Sequence, residues 1–403
     1  MNTGVDLPRQ EAYEHWHSAL RQSGWLSSCS TEKIPIASGK GRIIAQPVVA
    51  RRSVPHYAGS AMDGFAVRAA DTRQAASQHP ILLTVVPVGV ECREGQAVPV
   101  DTGDVLPAGA DSVIMLEHAT NAANQLAIAA PAQLGQHVRK IGEDIETGTI
   151  LLPAGTSVGP AEIAAAMAAG ADRVTVMARP RITVIPTGDE IVDSADDLPA
   201  GRIRDINSYM LAALFEGWGC EVRRHSVVPD DRLQLSQAVA TAVATSDLVV
   251  MNAGTSSGAG DFTRSVLDSL GEVLCHGVAI RPGRPVLLAL VDGKPVIGLP
   301  GYPVSCLLTA TLFLKELLHE FQRRPLPRRQ IVRARLATCV HSRTGAENYY
   351  RVLLEEGKPL PVVRVLPKGA SLISTLTQAH GWLRIAADCS ELDADTVVDV
   401  ELF

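Results

Sequence analysis

Several loops of this 403-residue chain carry groups suited to holding anions and metal ions. The densest is Met251-Asn252-Ala253-Gly254-Thr255-Ser256-Ser257-Gly258-Ala259-Gly260-Asp261, between an apolar run and a helical pattern. Its glycines and serines expose backbone N–H groups where a helix start adds partial positive charge, which suits a phosphate or another oxyanion. A plain strand–helix turn would use the same residues, so Gly254, Ser256 and Gly258 are candidates only. No Gly-Lys-Ser/Thr follows, so the segment is not a Walker A loop. Gly254-Thr255-Ser256-Ser257-Gly258 also fits Gly-x-Ser-x-Gly, a nucleophile elbow that would make Ser256 the nucleophile of a hydrolase. Asp292 and His319 are its available acid and base.

A second loop, Gly298-Leu299-Pro300-Gly301-Tyr302-Pro303-Val304-Ser305, again joins a strand to a helix. Ser305 falls in the helix's first turn, where it could cap the helix or face an anion. Arg281-Pro282-Gly283-Arg284-Pro285 lies between the two loops, and its rigid turn can aim two guanidiniums to one side. Guanidinium groups bind oxyanions bidentately. Acidic turns complete the set: Thr187-Gly188-Asp189-Glu190, Ala61-Met62-Asp63-Gly64, Thr102-Gly103-Asp104 and Gly142-Glu143-Asp144. Asp-Gly and Gly-Asp are ordinary turn chemistry, but carboxylates facing a phosphate would hold Mg²⁺. His276, beside Gly277, is read as structural.

The elements that must position these loops follow from periodicity. Residues 8–26 predict one helix, with Ala12, Trp16, Ala19 and Leu20 at helical spacing. Residues 34–128 shift to short apolar strands, among them 43–49, 81–90 and 112–117, which predicts a small β-rich domain. Between strand-like 149–152 and 173–176 lies an Ala-rich helix at 160–169 with Pro in its first turn. From 181 onward apolar strands (181–186, 221–228, 247–251, 286–291, 295–299) alternate with helices (207–217, 231–245, 261–270, 303–321). That alternation predicts a parallel sheet covered on both faces, with ligands at the strands' carboxyl ends. A basic, proline-interrupted linker at 322–329 leads to a small β domain at 331–403.

Composition narrows the class. The net charge of −6 argues against a protein held on nucleic acid by bulk positive charge. No apolar run reaches the ~20 residues needed to span a bilayer, and the N-terminus lacks a signal-peptide centre. The seven cysteines are widely spaced, with no Cys-x-x-Cys, so neither a disulfide framework nor a zinc ribbon is expected and a reducing cytoplasm is the default.

Together the motifs resemble the molybdopterin molybdenumtransferase family, the molybdenum insertases of cofactor biosynthesis. The matches include Ser60-Ala61-Met62-Asp63-Gly64-Phe65-Ala66-Val67, Thr102-Gly103-Asp104-Val105-Leu106-Pro107 and Arg139-Lys140-Ile141-Gly142-Glu143-Asp144-Ile145. Pro186-Thr187-Gly188-Asp189-Glu190, Arg204-Asp205-Ile206-Asn207-Ser208-Tyr209 and Gly298-Leu299-Pro300-Gly301 continue the series. The resemblance implies a multidomain α/β-plus-β architecture: a three-layer α/β molybdopterin-binding domain, a β-rich domain, a linker domain and a C-terminal β-barrel-like domain. The expected division is 1–46 (N-terminal helix and first part of the linker domain), 47–146 (β-rich), 147–179 (second part of the linker), 180–325 (α/β) and 326–403 (C-terminal β).

It further implies a cytoplasmic homodimer with its active site shared between subunits. The substrates would be adenylylated molybdopterin and molybdate, with Mg²⁺ as cofactor and AMP released. The preceding adenylyltransferase and the recipient molybdoenzymes would be partners; nucleic acid and membrane would not. Position by position, the resemblance assigns Asp189, Glu190 and Asp261 to catalysis and metal binding. It assigns Asp63, Thr102, Glu143, Asp144, Gly254, Ser256, Gly258 and Ser305 to substrate, and Arg281, Arg284 and Ser305 to the oxyanion. Glu190 or Asp261 would position water.

The chain also departs from the family pattern. Lys-Pro-Gly-Lys is Arg281-Pro282-Gly283-Arg284, a family Asn is Tyr302, a family Arg before Tyr349-Tyr350-Arg351 is Ala346, and a serine-rich turn is Gly369-Ala370-Ser371. These changes lie on the oxyanion side. They leave open a tungstate-inserting paralogue and a non-catalytic molybdopterin-binding or scaffold homologue.

Overall fold

The computed structural model describes residues 6–193, 198–252 and 262–403. The chain forms two compact units, Lys33–Val176 and the chain flanking it on both sides.

In Lys33–Val176 a six-stranded sheet runs in the order Ser112–Met115, Gly64–Val67, Gln96–Val100, Ile81–Val85, Gln125–Ile128, Ala119–Ala122. Its pairings are antiparallel except between Ile81–Val85 and Gln96–Val100. Phe65, Val67, Leu83, Ala97, Ile114, Leu126 and Ile128 form its core. Gly64 is fixed by packing, since a Cβ there would stand 1.9 Å from the Ile114 carbonyl oxygen. A separate small core joins Ile36, Ile44 and Val48 to Leu152, Val158, Ala166 and Val174. The helix Pro160–Ala168 borders it, and Glu162 accepts a 2.9 Å hydrogen bond from the Gly159 N–H. The strand expected over 43–49 is reduced to Val48–Val49, while Ile43 and Ile44 make isolated bridges to Ser157 and Val176. Pro47 has no N–H to donate, which interrupts the ladder.

In the flanking unit a six-stranded sheet runs Glu221–Arg224, Arg181–Pro186, Leu248–Asn252, Lys294–Leu299, Leu287–Val291, Glu272–His276. Each of its central strands is apolar on both sides. Ile182, Val184, Leu248, Val250, Ile297 and Leu299 face helices Asn207–Gly217, Pro303–Phe321 and Arg9–Gln22. Ile185, Val249, Met251 and Val296 face Arg232–Thr245 and Thr263–Leu270. This is the three-layer α/β arrangement the alternation predicts.

The sheet is not wholly parallel. Leu287–Val291 runs antiparallel to Lys294–Leu299, and Glu272–His276 runs antiparallel to it in turn. Asp292 (φ 48°) and Gly293 (φ 74°) form the two-residue hairpin that reverses the chain, a connection parallel strands cannot use. The first helix also ends early, at Gln22; Gly24 (φ 81°) breaks it and a short 3₁₀ turn, Trp25–Ser27, follows. Trp16 Nε1 donates to the Ala289 carbonyl at 3.0 Å, which ties this helix to the sheet.

The C-terminal strands close a barrel. Glu347–Glu355 pairs with Val362–Val365, which pairs with Ile331–Leu336, then Val397–Leu402, then Gly381–Ile385, and that strand returns to Glu347–Glu355. Ala334, Leu336, Val352, Val363, Leu383 and Val400 fill it. Ile280–Arg281 adds to its edge, parallel to Glu347 and Asn348, so the arginine turn of the α/β domain is anchored to the barrel. None of the described helices is long and apolar enough to cross a membrane.

Candidate active site

The loops at the carboxyl ends of the parallel strands are stitched together by amides. The Thr187 N–H donates to the Asn252 carbonyl at 3.0 Å. Asn252 Nδ2 donates to the Pro300 carbonyl at 3.2 Å and Asn207 Nδ2 to the Gly301 carbonyl at 2.7 Å. Two buried polar atoms here, Thr187 Oγ1 and Asn207 Oδ1, have no hydrogen-bond partner among the described residues. Buried polar atoms are normally satisfied, so both atoms are open to a further polar partner. The sequence reads Asn207 and Ser208 as helix caps; instead the buried Asp205 carboxylate accepts from the Ser208 N–H at 3.0 Å and from its hydroxyl. Asn207 is thereby left to reach across to Gly301.

The acidic corner lies on the same loops. Asp189 Oδ1 accepts from the Asp230 N–H at 3.1 Å. The Asp189 carbonyl takes the Arg202 guanidinium, and Ile203 donates its N–H to the Glu190 carbonyl at 2.8 Å. Gly188 (φ 136°) passes so close to Glu190 that a Cβ would sit 2.8 Å from Oε2. Burial, with the charges of Asp189 and Glu190, holds the Asp230 carboxyl above its ordinary value. Asp230 is absent from the sequence-based site. Its signal is Pro229-Asp230-Asp231 at a strand end: Asp231 caps the next helix by accepting from the Gln234 N–H at 2.8 Å, so Asp230 is the carboxylate left over. Asp189, Glu190 and Asp230 do not bring three ligand atoms within 4.8 Å of one another. Gly254, Ser256, Gly258 and Asp261 lie outside the described residues.

The oxyanion candidates separate. Arg284 is 66% exposed at its side chain and pairs with Asp6 at 2.5 Å. Arg281 instead lines a cavity of about 620 Å³ with His341, Ser342, Arg343, Arg351 and Lys368. No carboxylate is among the described residues lining it. Arg351 is 4% exposed; it donates to the Pro367 carbonyl at 2.6 Å, while its Nε, like Ser342 Oγ, has no partner among the described residues. Burial lowers the Arg351 pKa. The Val304 N–H donates to the Ala370 carbonyl at 3.0 Å, so the start of helix Pro303–Phe321 abuts this cavity. Ser305, 3% exposed, is in that first turn and does not cap it: the N-cap is Tyr302, without a side-chain bond. Arg343, Arg351 and Lys368 are absent from the sequence-based candidates, because a cavity wall assembled from barrel loops has no local spacing.

In the β-rich unit the structure brings Asp63 and Thr102 together. Asp63 Oδ1 accepts from the Thr102 N–H and hydroxyl, both at 2.7 Å, and these bonds hold its carboxyl below the usual range. Glu143 closes a local turn by accepting from the Lys140 N–H at 2.9 Å and Arg139 Nε at 3.1 Å, which lowers its pKa. Asp144 is exposed beside it.

Of the hydrolase candidates, Ser256 lies outside the described residues, and neither Asp292 nor His319 lies at the strand end marked by Asn252. Asp292 sits in the hairpin at the start of Lys294–Leu299, whereas Asn252 pairs with Leu299 at the far end of that strand. His319 is 5% exposed and bonded to the Lys315 carbonyl. It lies about 24 Å along the helix from Pro303 at 1.5 Å per residue.

A three-layer α/β domain with carboxylates at its strand ends, joined to a closed barrel with a cationic cavity, makes up a multidomain α/β-plus-β protein whose clefts suit charged ligands. Family models match in sequence: the MoeA N-terminal region (domain I and II) over residues 7–170, the "Probable molybdopterin binding domain" over 183–320, and the MoeA C-terminal region (domain IV) over 333–403. The chain belongs to the molybdopterin molybdenumtransferase (MoeA) family, transferases of molybdenum cofactor biosynthesis. It is 31% identical to molybdopterin molybdenumtransferase 2 of Mycobacterium tuberculosis, over 93% of this chain and 96% of that one. It is 35% identical to the molybdopterin molybdenumtransferase of a Nostoc species, over 73% of this chain and 70% of that one. The solved MoeA protein of Pyrococcus horikoshii superposes with a TM-score of 0.84 at 34% identity, covering 98% of this chain and 99% of that one.

Proposed function

We propose that this chain inserts molybdate into adenylylated molybdopterin, requires Mg²⁺ and releases AMP. The observation that carries the reading is the cavity lined by Arg281, Arg343, Arg351 and Lys368 without a described carboxylate. A buried guanidinium with a free N–H is costly unless an anion meets it. Molybdate, a tetrahedral dianion, supplies that charge. Ala346, standing where the family has an arginine, does not leave the site neutral, because Arg343 and Lys368 line the same space.

The acidic corner fits Mg²⁺, which takes few protein oxygens and keeps water and substrate phosphate. Burial raises the Asp230 pKa most, and the smaller contribution from the charges of Asp189 and Glu190 would be relieved by a cation. Asp189 and Glu190, with Asp261, would hold Mg²⁺, and the ion would neutralise the phosphoanhydride. Glu190 or Asp261 orients a water toward the adenylyl phosphorus. The new P–O bond forms as the bond to the bridging oxygen breaks, and AMP departs. Asp63, Thr102, Glu143 and Asp144 are assigned to the nucleotide side of the substrate on their motifs. The active species is a cytoplasmic homodimer.

The test is AMP release from adenylylated molybdopterin. It should require Mg²⁺ and fall sharply in Asp189→Ala and in Glu190→Ala; normal release in both overturns the site assignment. Complementation of an insertase-null strain under graded molybdate and tungstate names the oxyanion. Tight pterin binding without restored molybdoenzyme activity would instead make the chain a binding homologue.

A further inference from the structure

On the outside of the barrel, strand Val340–His341 pairs antiparallel with Glu391–Leu392, and His341 stands directly opposite Glu391. Cys339 precedes His341 by two residues, which puts both side chains on one face of an extended segment. Cys339 Sγ lies 2.8 Å from Glu391 Oε1 and 3.8 Å from His341 Nε2, and His341 Nδ1 lies 3.4 Å from Glu391 Oε1. Among the described residues this is the one group that offers three metal-ligating atoms within 4.8 Å of one another.

We propose that Cys339, His341 and Glu391 form a surface site for a zinc-class divalent cation, separate from the carboxylate corner; its assignment does not rest on the reaction proposed above. A tetrahedral ion with Zn–S near 2.3 Å and Zn–N and Zn–O near 2.0 Å separates its ligand atoms by roughly 3.3–3.6 Å. One imidazole nitrogen serves one ion, and the sulfur–nitrogen and nitrogen–oxygen separations involve different ring nitrogens. With one ligand atom from each residue the three atoms lie within 4.8 Å of one another, so small side-chain rotations bring them to those values. The sulfur–oxygen contact is shorter because the thiol donates its proton to Glu391, which pushes the Cys339 pKa up to about 11. Binding replaces that S–H bond with an S–metal bond, and the proton leaves to solvent. Thiolate and carboxylate together balance a 2+ ion, and imidazole adds a neutral donor. The donor set selects zinc over Mg²⁺, which avoids sulfur. Water or an incoming group fills the fourth position.

The site has a structural consequence next door. The His341 carbonyl accepts from Lys368 Nζ at 2.8 Å and from the Tyr350 hydroxyl at 3.1 Å, and His341 lines the cationic cavity. An ion at Cys339, His341 and Glu391 fixes the segment from which Lys368 hangs.

The experiment uses the full-length, tag-free chain, stripped with chelator and titrated with Co²⁺ as a coloured substitute and then with Zn²⁺. The expected result is one equivalent of Co²⁺ per chain with a thiolate-to-cobalt charge-transfer band, displaced by Zn²⁺. Cys339→Ser should abolish the band, and His341→Ala and Glu391→Gln should each weaken binding at least about tenfold. Cys389→Ser should leave band and affinity unchanged. Metal-free melting temperatures, expected to be unchanged for these surface substitutions, confirm that each variant is folded. Absence of the band with cobalt in large excess overturns the site. So does a band that survives Cys339→Ser, or an affinity unmoved by both His341→Ala and Glu391→Gln.

Discussion

Asp63 shows how a motif residue earns its geometry from one partner. Its carboxylate accepts both the N–H and the hydroxyl of Thr102, which holds it below the ordinary carboxylate range. A carboxyl whose folded pKa is lowered stabilises the fold above its unfolded value, about 4. That contribution is lost as pH falls through the folded value. Thr102→Val removes the hydroxyl and keeps the N–H. The Asp63 titration, followed by carboxyl NMR, should then move up toward the ordinary value without reaching it; no movement would mean the hydroxyl bond is not formed in solution. Asp63 and Thr102 were legible from sequence as turn residues, yet their meeting was not, because they lie on different turns of a sheet. Asp230 escaped for a related reason. Pro229-Asp230-Asp231 hints at a helix cap on Asp231, but the folded loop is what sets Asp230 beside Asp189 and Glu190.

At the scale of elements, strand Gly64–Val67, which Asp63 immediately precedes, pairs closely with Ser112–Met115 only because residue 64 has no side chain. A Cβ would meet the Ile114 carbonyl oxygen at 1.9 Å, and backbone in a paired strand cannot retreat as a flexible side chain can. Gly64→Ala should therefore cost about 1–3 kcal/mol, the range for overpacking a well-packed interior. Denaturant unfolding measures it, and an unchanged midpoint would mean the two strands have room to part in solution. The long helix was legible to both ends, because Pro303 starts it and a continuous apolar face runs to Phe321. The sheet's direction was not. Leu287–Val291 and Lys294–Leu299 are as apolar as the parallel strands, and that composition hid the Asp292-Gly293 hairpin between them. Two residues are enough for a reversal and too few for a crossover. Glu272–His276 was missed because its apolar run, Val273-Leu274-Cys275, is short and flanked by Glu272 and His276.

Across the whole molecule the net charge of −6 is a poor guide to what the chain binds. The charge that matters is local: Arg281, Arg343, Arg351 and Lys368 face one cavity, while Asp189, Glu190 and Asp230 share one corner. Solvent ions screen exposed charges within a Debye length, about 8 Å at physiological salt, and screen buried ones much less. Molybdate binding, measured by equilibrium dialysis, should weaken as salt rises and then level off. The fall belongs to the exposed cations at the rim, and the residue that persists belongs to Arg351. Arg351→Met should cost at least about tenfold in affinity at every salt concentration, since an ionised donor to a dianion contributes more than about 1.4 kcal/mol. Stability should fall by no more than about 1 kcal/mol, because the substitution loses one hydrogen bond to the Pro367 carbonyl but also removes a buried charge that has no counter-ion. A stability loss well beyond that, with affinity unchanged, would make Arg351 a structural strut of the barrel. The anion site would then have to be sought outside the cavity.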